Sequence, residues 1–181
     1  MCNSFNKKFL DEASKKFDSE EGVSESRHES FMNKAVNMAI KGVLNNEGGP
    51  FGCVVVKDGK IIGTGNNRVT SSNDPTAHAE IIAIRQACQH LKSFQLDDCV
   101  IYTSCEPCPM CLGAIYWARP KKVYYGANKA DAAVIGFDDD FIYKELELDL
   151  DKRRIPFKQL ERKSSLKAFK AWEDKSDKIS Y

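Results

Sequence analysis

The sequence predicts an α/β protein, a three-layer α/β/α sandwich in which helices cover both faces of a central sheet. Two observations predict it. Segments with apolar residues at helical spacing alternate along the chain with short β-branched apolar runs. One hairpin turn, Lys57-Asp58-Gly59-Lys60, adds an antiparallel pair. We therefore expect a mixed sheet of about five strands, in a single domain because 181 residues is a common single-domain length.

The first helix and the first two strands are predicted in the N-terminal third of the chain. Apolar residues recur at helical spacing over residues 31–43, Ser30 suits an N-cap, and Gly48-Gly49-Pro50 ends the helix. Residues 51–56 form a nearly continuous apolar run, which is typical of a strand covered on both faces. Residues 61–66 are expected to return antiparallel after the turn.

The remaining elements follow a polar loop at residues 70–76. A helix is predicted where Ile81, Ile82, Ile84 and Ala87 recur at helical spacing. The later elements are predicted as a strand, a helix, two strands and a closing helix, over residues 99–103, 109–118, 123–126, 157–160 and 164–172.

The predicted domain occupies residues 29–181, and its last part, residues 162–181, contains the closing helix and a candidate lid. Residues 1–28 are predicted to be a flexible extension, with a docked helix over residues 7–17 as the alternative. The first 30 residues contain seven acidic and five basic side chains and lack the apolar stretch of a secretory signal. Because organelle transit peptides avoid acidic residues, the cytoplasm is the expected location.

Composition excludes several classes of protein. The 27 basic and 26 acidic residues give a net charge of +1, and 42% of residues are hydrophobic, close to the globular average. No apolar run approaches the roughly 20 residues of a membrane span. A balanced charge also argues against a nucleic-acid-coating protein. Seven acids in residues 138–151 are followed by a basic segment, a pattern that solvated surfaces explain.

Four of the seven cysteines lie within thirteen residues, which indicates metal chemistry in a reducing compartment. Cys105 and Cys108 are three residues apart, so on the first turn of a helix both sulfurs project from one face. His78 stands at the entrance of the preceding helix, and neighbouring strand ends bring two helix starts to one rim. We therefore predict one zinc ion per chain bound by His78, Cys105 and Cys108, with the fourth position open to water.

Cys111 continues the three-residue spacing, so a closed structural zinc site is the alternative. It lies about 9 Å along a helix from Cys105 at 1.5 Å per residue, too far for both sulfurs to reach one metal. We therefore predict that Cys111 is a buried, small apolar residue.

Glu80 is predicted to act as the general base and then the general acid. It follows His78 by two residues, so the two side chains converge only if His78 lies at the non-helical edge of its helix. Glu80 would then take a proton from the zinc-bound water and deliver it to a leaving nitrogen.

These motifs also carry a family resemblance. H-x-E followed by P-C-x-x-C is the signature of zinc nucleobase deaminases, and the sequence matches it as His78-Ala79-Glu80 and Cys105-Glu106-Pro107-Cys108. Residues 74–80 and 104–120 resemble the cytidine-deaminase-like superfamily. Within it, the chain is similar to the small guanine deaminases of bacterial type from about residue 30 to the end. The supporting pieces are Gly48-Gly49-Pro50-Phe51-Gly52, Asn66-Asn67, Gly136-Phe137-Asp138-Asp139 and Tyr181.

The resemblance implies a hydrolase that converts guanine and water into xanthine and ammonia. Zinc-bound hydroxide would attack C2, while Glu80 protonates a ring nitrogen and then the leaving amine. Asn67 would hydrogen-bond the purine, Phe51 would stack on it, and the backbone around Ala79 would contact it. Asp139 would accept hydrogen bonds from the N–H groups of guanine, which carboxylates accept well.

The resemblance also implies a homodimer with exchanged C-termini, in which Tyr181 covers the active site of the partner subunit. Asp138 and Asp140 are equally explained by surface solvation or helix capping. The expected ligand is a small purine base, with neither nucleic acid nor membrane as a partner.

Three alternative functions remain open from the sequence. A tRNA adenosine deaminase needs a basic surface near its pocket, whereas the acidic block follows the fourth predicted strand. A deaminase of cytosine or of a nucleoside such as guanosine differs in pocket volume, which sequence does not measure. A non-catalytic, zinc-stabilised interaction module would use the same cysteines but needs neither Glu80 nor an open metal position.

Overall fold

The computed structural model describes residues 24–181. Over that range the chain forms four strands and seven helices. The strands are β1 (Gly52–Lys57), β2 (Lys60–Asn66), β3 (Val100–Cys105) and β4 (Lys122–Ala127). The helices are α1 (Glu25–Leu44), α2 (Val69–Ser72), α3 (Ala79–Leu91), α4 (Pro109–Ala118), α5 (Lys129–Val134), α6 (Asp140–Glu147) and α7 (Arg162–Asp174).

The sheet is mixed, as predicted. Its strand order is β2-β1-β3-β4. Strand β1 pairs antiparallel with both β2 and β3, while β3 and β4 are parallel. The strand predicted at residues 157–160 is wrong: that segment lies outside the sheet, and Phe157 and Leu160 are exposed. Its apolar residues resemble those of a strand, but it reaches no strand edge with which to pair.

Two hydrophobic cores flank the sheet, and they explain why residues 53–56 of β1 are all apolar. Helix α1 packs on one face, where Phe31 and Ala35 meet Val54, Val56 and Tyr102. Helices α3 and α4 cover the opposite face, where the alternate β1 residues are buried with side chains of both helices. The predicted three-layer arrangement is therefore confirmed.

Gly65 sets the closeness of α3 to the sheet. A Cβ atom at this position would lie 2.2 Å from the carbonyl oxygen of Ala79, a distance that no side chain tolerates. The missing side chain thus lets the first turn of α3 rest directly on β2. This contact fixes the distance from the sheet at which the start of α3 holds His78 and Glu80.

Helix α1 begins at Glu25, so Ser30 is not its N-cap; Ser24 occupies the N-cap position. His28, in the second turn, joins the domain because its Nδ1 lies 2.6 Å from the hydroxyl of buried Tyr102. Burial raises the pKa of Tyr102 to about 12, so the hydroxyl stays protonated at neutral pH. Residues 25–28 therefore belong to the folded domain, while the predictions for residues 1–23 lie outside the described residues.

The segment after β4, residues 128–181, packs little against the sheet. Ala132 is the single buried residue of this segment. The predicted closing helix corresponds to α7, whose Leu166, Phe169 and Trp172 remain exposed. None of the helices between residues 24 and 181 is both long and apolar enough to cross a membrane.

Candidate active site

Three potential metal ligands converge where two helices begin. One donor atom each from His78, Cys108 and Cys111 lies within 4.8 Å of the others. Both sulfurs are 3.5 Å from His78 Nδ1. His78 is the extended residue that precedes α3, and Cys108 occupies the same position before α4. The predicted meeting of two helix starts is therefore present.

The predicted ligand Cys105 is replaced in this cluster by Cys111. Cys105 is the last residue of β3, and its Sγ lies 3.6 Å from the carbonyl oxygen of Asn128. Since α4 begins at Pro109, the two cysteines that share its first turn are Cys108 and Cys111. The distance argument assumed one helix from residue 105 to residue 111, whereas Cys105 ends β3. The structure brings Cys111, the cysteine that this argument set aside, to His78 and Cys108.

The thiols also differ in their tendency to ionise. A hydrogen bond from Cys111, together with one from His78, lowers the pKa of Cys108 to about 4 against the effect of burial. Burial raises the pKa of Cys105 to about 11. Thiolate is the form that binds metals. The pKa of Cys111 is also raised, by its hydrogen bond to Cys108 and by burial. Ionisation therefore singles out Cys108, whereas the convergence of the donor atoms is what separates Cys111 from Cys105.

This donor set fits a zinc ion. Two cysteine sulfurs and one imidazole nitrogen are typical zinc ligands, and catalytic zinc sites combine three protein ligands with an open position. The alternative, a closed structural site, would need a fourth protein donor, and the described cluster contains three.

Glu80 lies beside this cluster with its side chain almost fully buried. Its Oε1 accepts a hydrogen bond of 2.8 Å from the Thr103 hydroxyl, and its Oε2 accepts one of 3.4 Å from the Cys111 thiol. The extended backbone of His78 lets both side chains point the same way, as the sequence argument required. Burial raises the pKa of Glu80 despite these hydrogen bonds, so the carboxyl group is suited to holding a proton.

A cavity of about 400 Å³ opens next to the cluster and contains three of the predicted substrate contacts, Phe51, Asn67 and Asp139. Asn67 Oδ1 accepts hydrogen bonds of 3.2 Å from the backbone N–H groups of Gly49 and Val69. Since the carbonyl of the amide is engaged by backbone, Asn67 offers its NH₂ group to a ligand.

Asp139 faces the cavity as a partly buried carboxylate. Burial is the main cause that raises the pKa of Asp139, and the nearby negative charge of Cys108 raises it further. The two neighbouring aspartates make other contacts. Asp138 Oδ1 accepts a 3.0 Å hydrogen bond from the Asp140 N–H, and the Asp140 carboxylate forms an ion pair with Lys144. Capping and solvation therefore explain Asp138 and Asp140 here, although Asp138 also borders the cavity.

Two predicted contacts lie away from the cavity surface. Ala79 is fully buried at the start of α3, so its side chain does not face the cavity. Tyr181 packs against Phe94 and Trp117, with ring centroids 6.2 Å and 5.8 Å apart. Trp117 is at the C-terminal end of α4, whereas Cys108 lies at its start. Tyr181 therefore does not reach the cavity of its own chain.

The sequence analysis missed two residues of the site, Cys111 and Phe137. The signal for Cys111 was present, because Pro107-Cys108-Pro109-Met110-Cys111 places a proline directly before the first cysteine, as P-C-x-x-C requires. Phe137 lines the cavity beside Phe51, and only the tertiary structure brings these two residues together.

An α/β/α sandwich with a His/Cys/Cys cluster and a buried glutamate at two helix starts defines a zinc-dependent deaminase of nucleobases. The protein-family model for the cytidine and deoxycytidylate deaminase zinc-binding region matches residues 25–127 of this chain. The chain belongs to this family.

Relatives within the family include two guanine deaminases and a tRNA deaminase. Guanine deaminase of Bacillus subtilis is 58% identical over 154 residues, 85% of this chain and 99% of that protein. Its crystal structure matches 85% of this chain and 98% of its own, with a TM-score of 0.83. The guanine deaminase of Nitrosomonas europaea is 28% identical, with a TM-score of 0.60 over 70% of this chain and 72% of its own. The tRNA-specific adenosine deaminase of Buchnera aphidicola is 36% identical over 76% of this chain and 87% of its own.

Proposed function

We propose that this protein deaminates guanine by hydrolysis, producing xanthine and ammonia. The observation that carries the proposal is the set of groups around one cavity: a ring at Phe51, an NH₂ donor at Asn67 and a carboxylate at Asp139. Guanine is complementary to all three, because it has an aromatic plane, ring acceptors and adjacent N–H donors. The 58% identity to a guanine deaminase over nearly its whole length also supports this substrate.

His78, Cys108 and Cys111 would hold the zinc ion, replacing the ligand set that we predicted from the sequence. When bound, zinc supplies a nucleophile at neutral pH by lowering the pKa of a water molecule from 15.7 toward about 7. Phe51 stacks on the base, and Asn67 and Asp139 fix its orientation so that C2 faces the cluster. Glu80 then carries a proton to a ring nitrogen and afterwards to the leaving amine. Burial keeps this carboxyl group out of bulk water during the transfer.

The proposal is tested by measuring ammonia release from guanine, guanosine, adenine, cytosine, cytidine and an adenosine-containing tRNA anticodon stem-loop. Guanine should be the preferred substrate, with xanthine as the product. Preference for the stem-loop would favour the tRNA adenosine deaminases, to which the chain is also related. Preference for guanosine would show that the cavity accommodates a ribose.

The Asp139→Asn variant should lose activity on guanine selectively. An amide replaces an acceptor-only group with one of mixed polarity, so an N–H donor of guanine loses its partner. Losing a hydrogen bond to a charged group costs about 1.5–3 kcal/mol, so kcat/KM for guanine should fall roughly 10- to 150-fold. Slow turnover of cytosine serves as the comparison. An equal loss for both bases would mean that Asp139 acts on folding and not on recognition.

A homodimer with an exchanged C-terminus is the second part of the proposal. The segment from Leu146 to Tyr181 exposes many large apolar side chains that a second copy would cover. The position of Tyr181, away from the cavity of its own chain, supports a role in the partner subunit. Such a lid would exclude water from the polar contacts of the site.

We also place the protein in the cytoplasm, because free thiol ligands require a reducing compartment.

Deletion of residues 173–181 should lower kcat/KM for guanine about tenfold or more, the value of one lost contact of 1–2 kcal/mol. Zinc content and circular dichroism should be unchanged. The matched control is Ile179→Ala, which shortens an exposed apolar side chain of the same tail.

Mixing two impaired proteins distinguishes a lid supplied by the partner subunit from a lid supplied by the same chain. The Glu80→Gln protein keeps its tail but has an impaired site, while the truncated protein has an intact site and no tail. If tails are exchanged, mixed dimers recover activity. Full activity of the truncated protein, or a monomer in light scattering, would contradict the lid.

A further inference from the structure

Phe137 enters the cavity from the short segment between α5 and α6. The preceding Gly136 has a φ of +90°, a backbone conformation that glycine adopts without strain. The N–H of Phe137 donates a 3.0 Å hydrogen bond to the carbonyl of Ala132, which anchors the segment to α5. The turn at Gly136 thus directs the Phe137 ring toward Phe51.

The two phenylalanine rings meet edge to face. Their centroids are 4.9 Å apart, and their planes cross at 89°. This is a favoured geometry for an aromatic pair, because the positive edge of one ring meets the negative face of the other. The pair therefore has a preferred orientation as well as a preferred distance.

Gly49 provides the space in which this pair is seated. A Cβ atom at position 49 would lie 2.9 Å from Cζ of Phe137 and 3.2 Å from Cδ2 of Phe51. Any side chain at this position would push the two rings from their places. Two segments distant in sequence, residues 49–51 and Phe137, thus meet at one contact, and this contact keeps each ring in place.

We infer that Phe137 is a positioning residue for substrate binding, which holds the ring of Phe51 in the plane on which the base stacks. This inference rests on the proposed function and deepens it. Without Phe137, the Phe51 ring can rotate about its side-chain bonds, and part of the stacking energy is lost in ordering it again. Phe137 thereby acts through Phe51, so its effect falls on the binding of guanine rather than on the proton transfers at Glu80.

The test compares steady-state kinetics of guanine deamination by zinc-loaded variants. Phe137→Ala should raise KM for guanine about 2- to 10-fold, the equivalent of one aromatic pair, with kcat changed by less than about twofold. Phe137→Tyr should restore KM, because it keeps the aromatic edge. Ile135→Ala is the matched control, since Ile135 is a comparably exposed side chain two residues away and outside the cavity lining.

A double variant tests whether Phe137 acts through Phe51. In the Phe51→Ala background, adding Phe137→Ala should change KM little, because the ring to be held is absent. In the same way, Gly49→Ala should raise KM in the unaltered protein and raise it less in Phe137→Ala. Additive effects of Phe51→Ala and Phe137→Ala, or a KM in Phe137→Ala equal to that of the control, would overturn the inference. Absence of guanine turnover in the unaltered protein would instead overturn the proposed function.

Discussion

Glu80→Gln protein is expected to fold, to bind one zinc per chain and to lose about 10²- to 10⁴-fold in guanine turnover, the range for general acid–base catalysis. The amide keeps the size of the side chain, and its oxygen can still accept the hydrogen bond from Thr103. It has no site that takes up and releases a proton at neutral pH. Ammonia release, metal analysis and circular dichroism measure the three properties separately.

Comparing the losses of turnover, zinc and thermal stability distinguishes a role of Glu80 in proton transfer from a role in folding. If Glu80 only supported the fold, the glutamine variant would unfold at lower temperature and its kcat would be nearly normal. The exposed Glu29 on α1, changed to glutamine, controls for the loss of one negative charge. Near-normal turnover by Glu80→Gln would show that another group moves the proton.

The layers and strands were predictable because they depend on local patterns. A continuous apolar run indicates a strand buried on both faces, and β1 is buried in this way between α1 on one side and α3 and α4 on the other. The start of α1 was not predictable, because its first turns are polar and exposed. Their links to the domain are long-range hydrogen bonds, one from Arg27 to the carbonyl of Gly59 and one between His28 and Tyr102, which are 74 residues apart.

The incorrect fifth strand has a different physical cause. Residues 157–160 have the apolar content of a strand, but a strand needs an edge that offers hydrogen-bonding groups at the right distance. The sequence shows the pattern of a segment and not its distance from the sheet edge. In the proposed dimer, the exposed side chains of this segment would meet a second copy of the chain.

A site of zinc-binding histidine and cysteine was predictable from the sequence, and the structure brings most of the predicted residues to one cavity. His78, Cys108 and Glu80 follow from spacing and ligand type, whereas Phe51, Asn67 and Asp139 followed only from the family resemblance. The misassigned cysteine shows what local patterns leave open. Cys105–Cys108 and Cys108–Cys111 have the same spacing, and the residue at which α4 begins decides which pair shares its first turn.

Exchange of Cys111 and of Cys105 for alanine, in separate proteins, should have opposite consequences. Cys111→Ala is expected to lose most of its zinc, because it removes one of the three donors of the cluster. Losing the ion forfeits several kcal/mol of catalysis, so guanine turnover should fall by about 10³-fold or more. Cys105→Ala should keep its zinc and most of its activity, at a stability cost of about 1 kcal/mol for the small cavity left at the end of β3.

The measurements are zinc per chain by mass spectrometry, ammonia release and thermal unfolding of each protein. Cys111→Ser separates metal binding from packing, since it keeps nearly the same volume at a fully buried position and offers a much weaker zinc ligand. It should lose zinc as Cys111→Ala does while the fold is retained. Full zinc occupancy in Cys111→Ala together with loss in Cys105→Ala would restore the ligand set predicted from the sequence. Loss of zinc in both alanine variants would mean that Cys105 supports the cluster indirectly, because the end of β3 is connected through the backbone to Cys108.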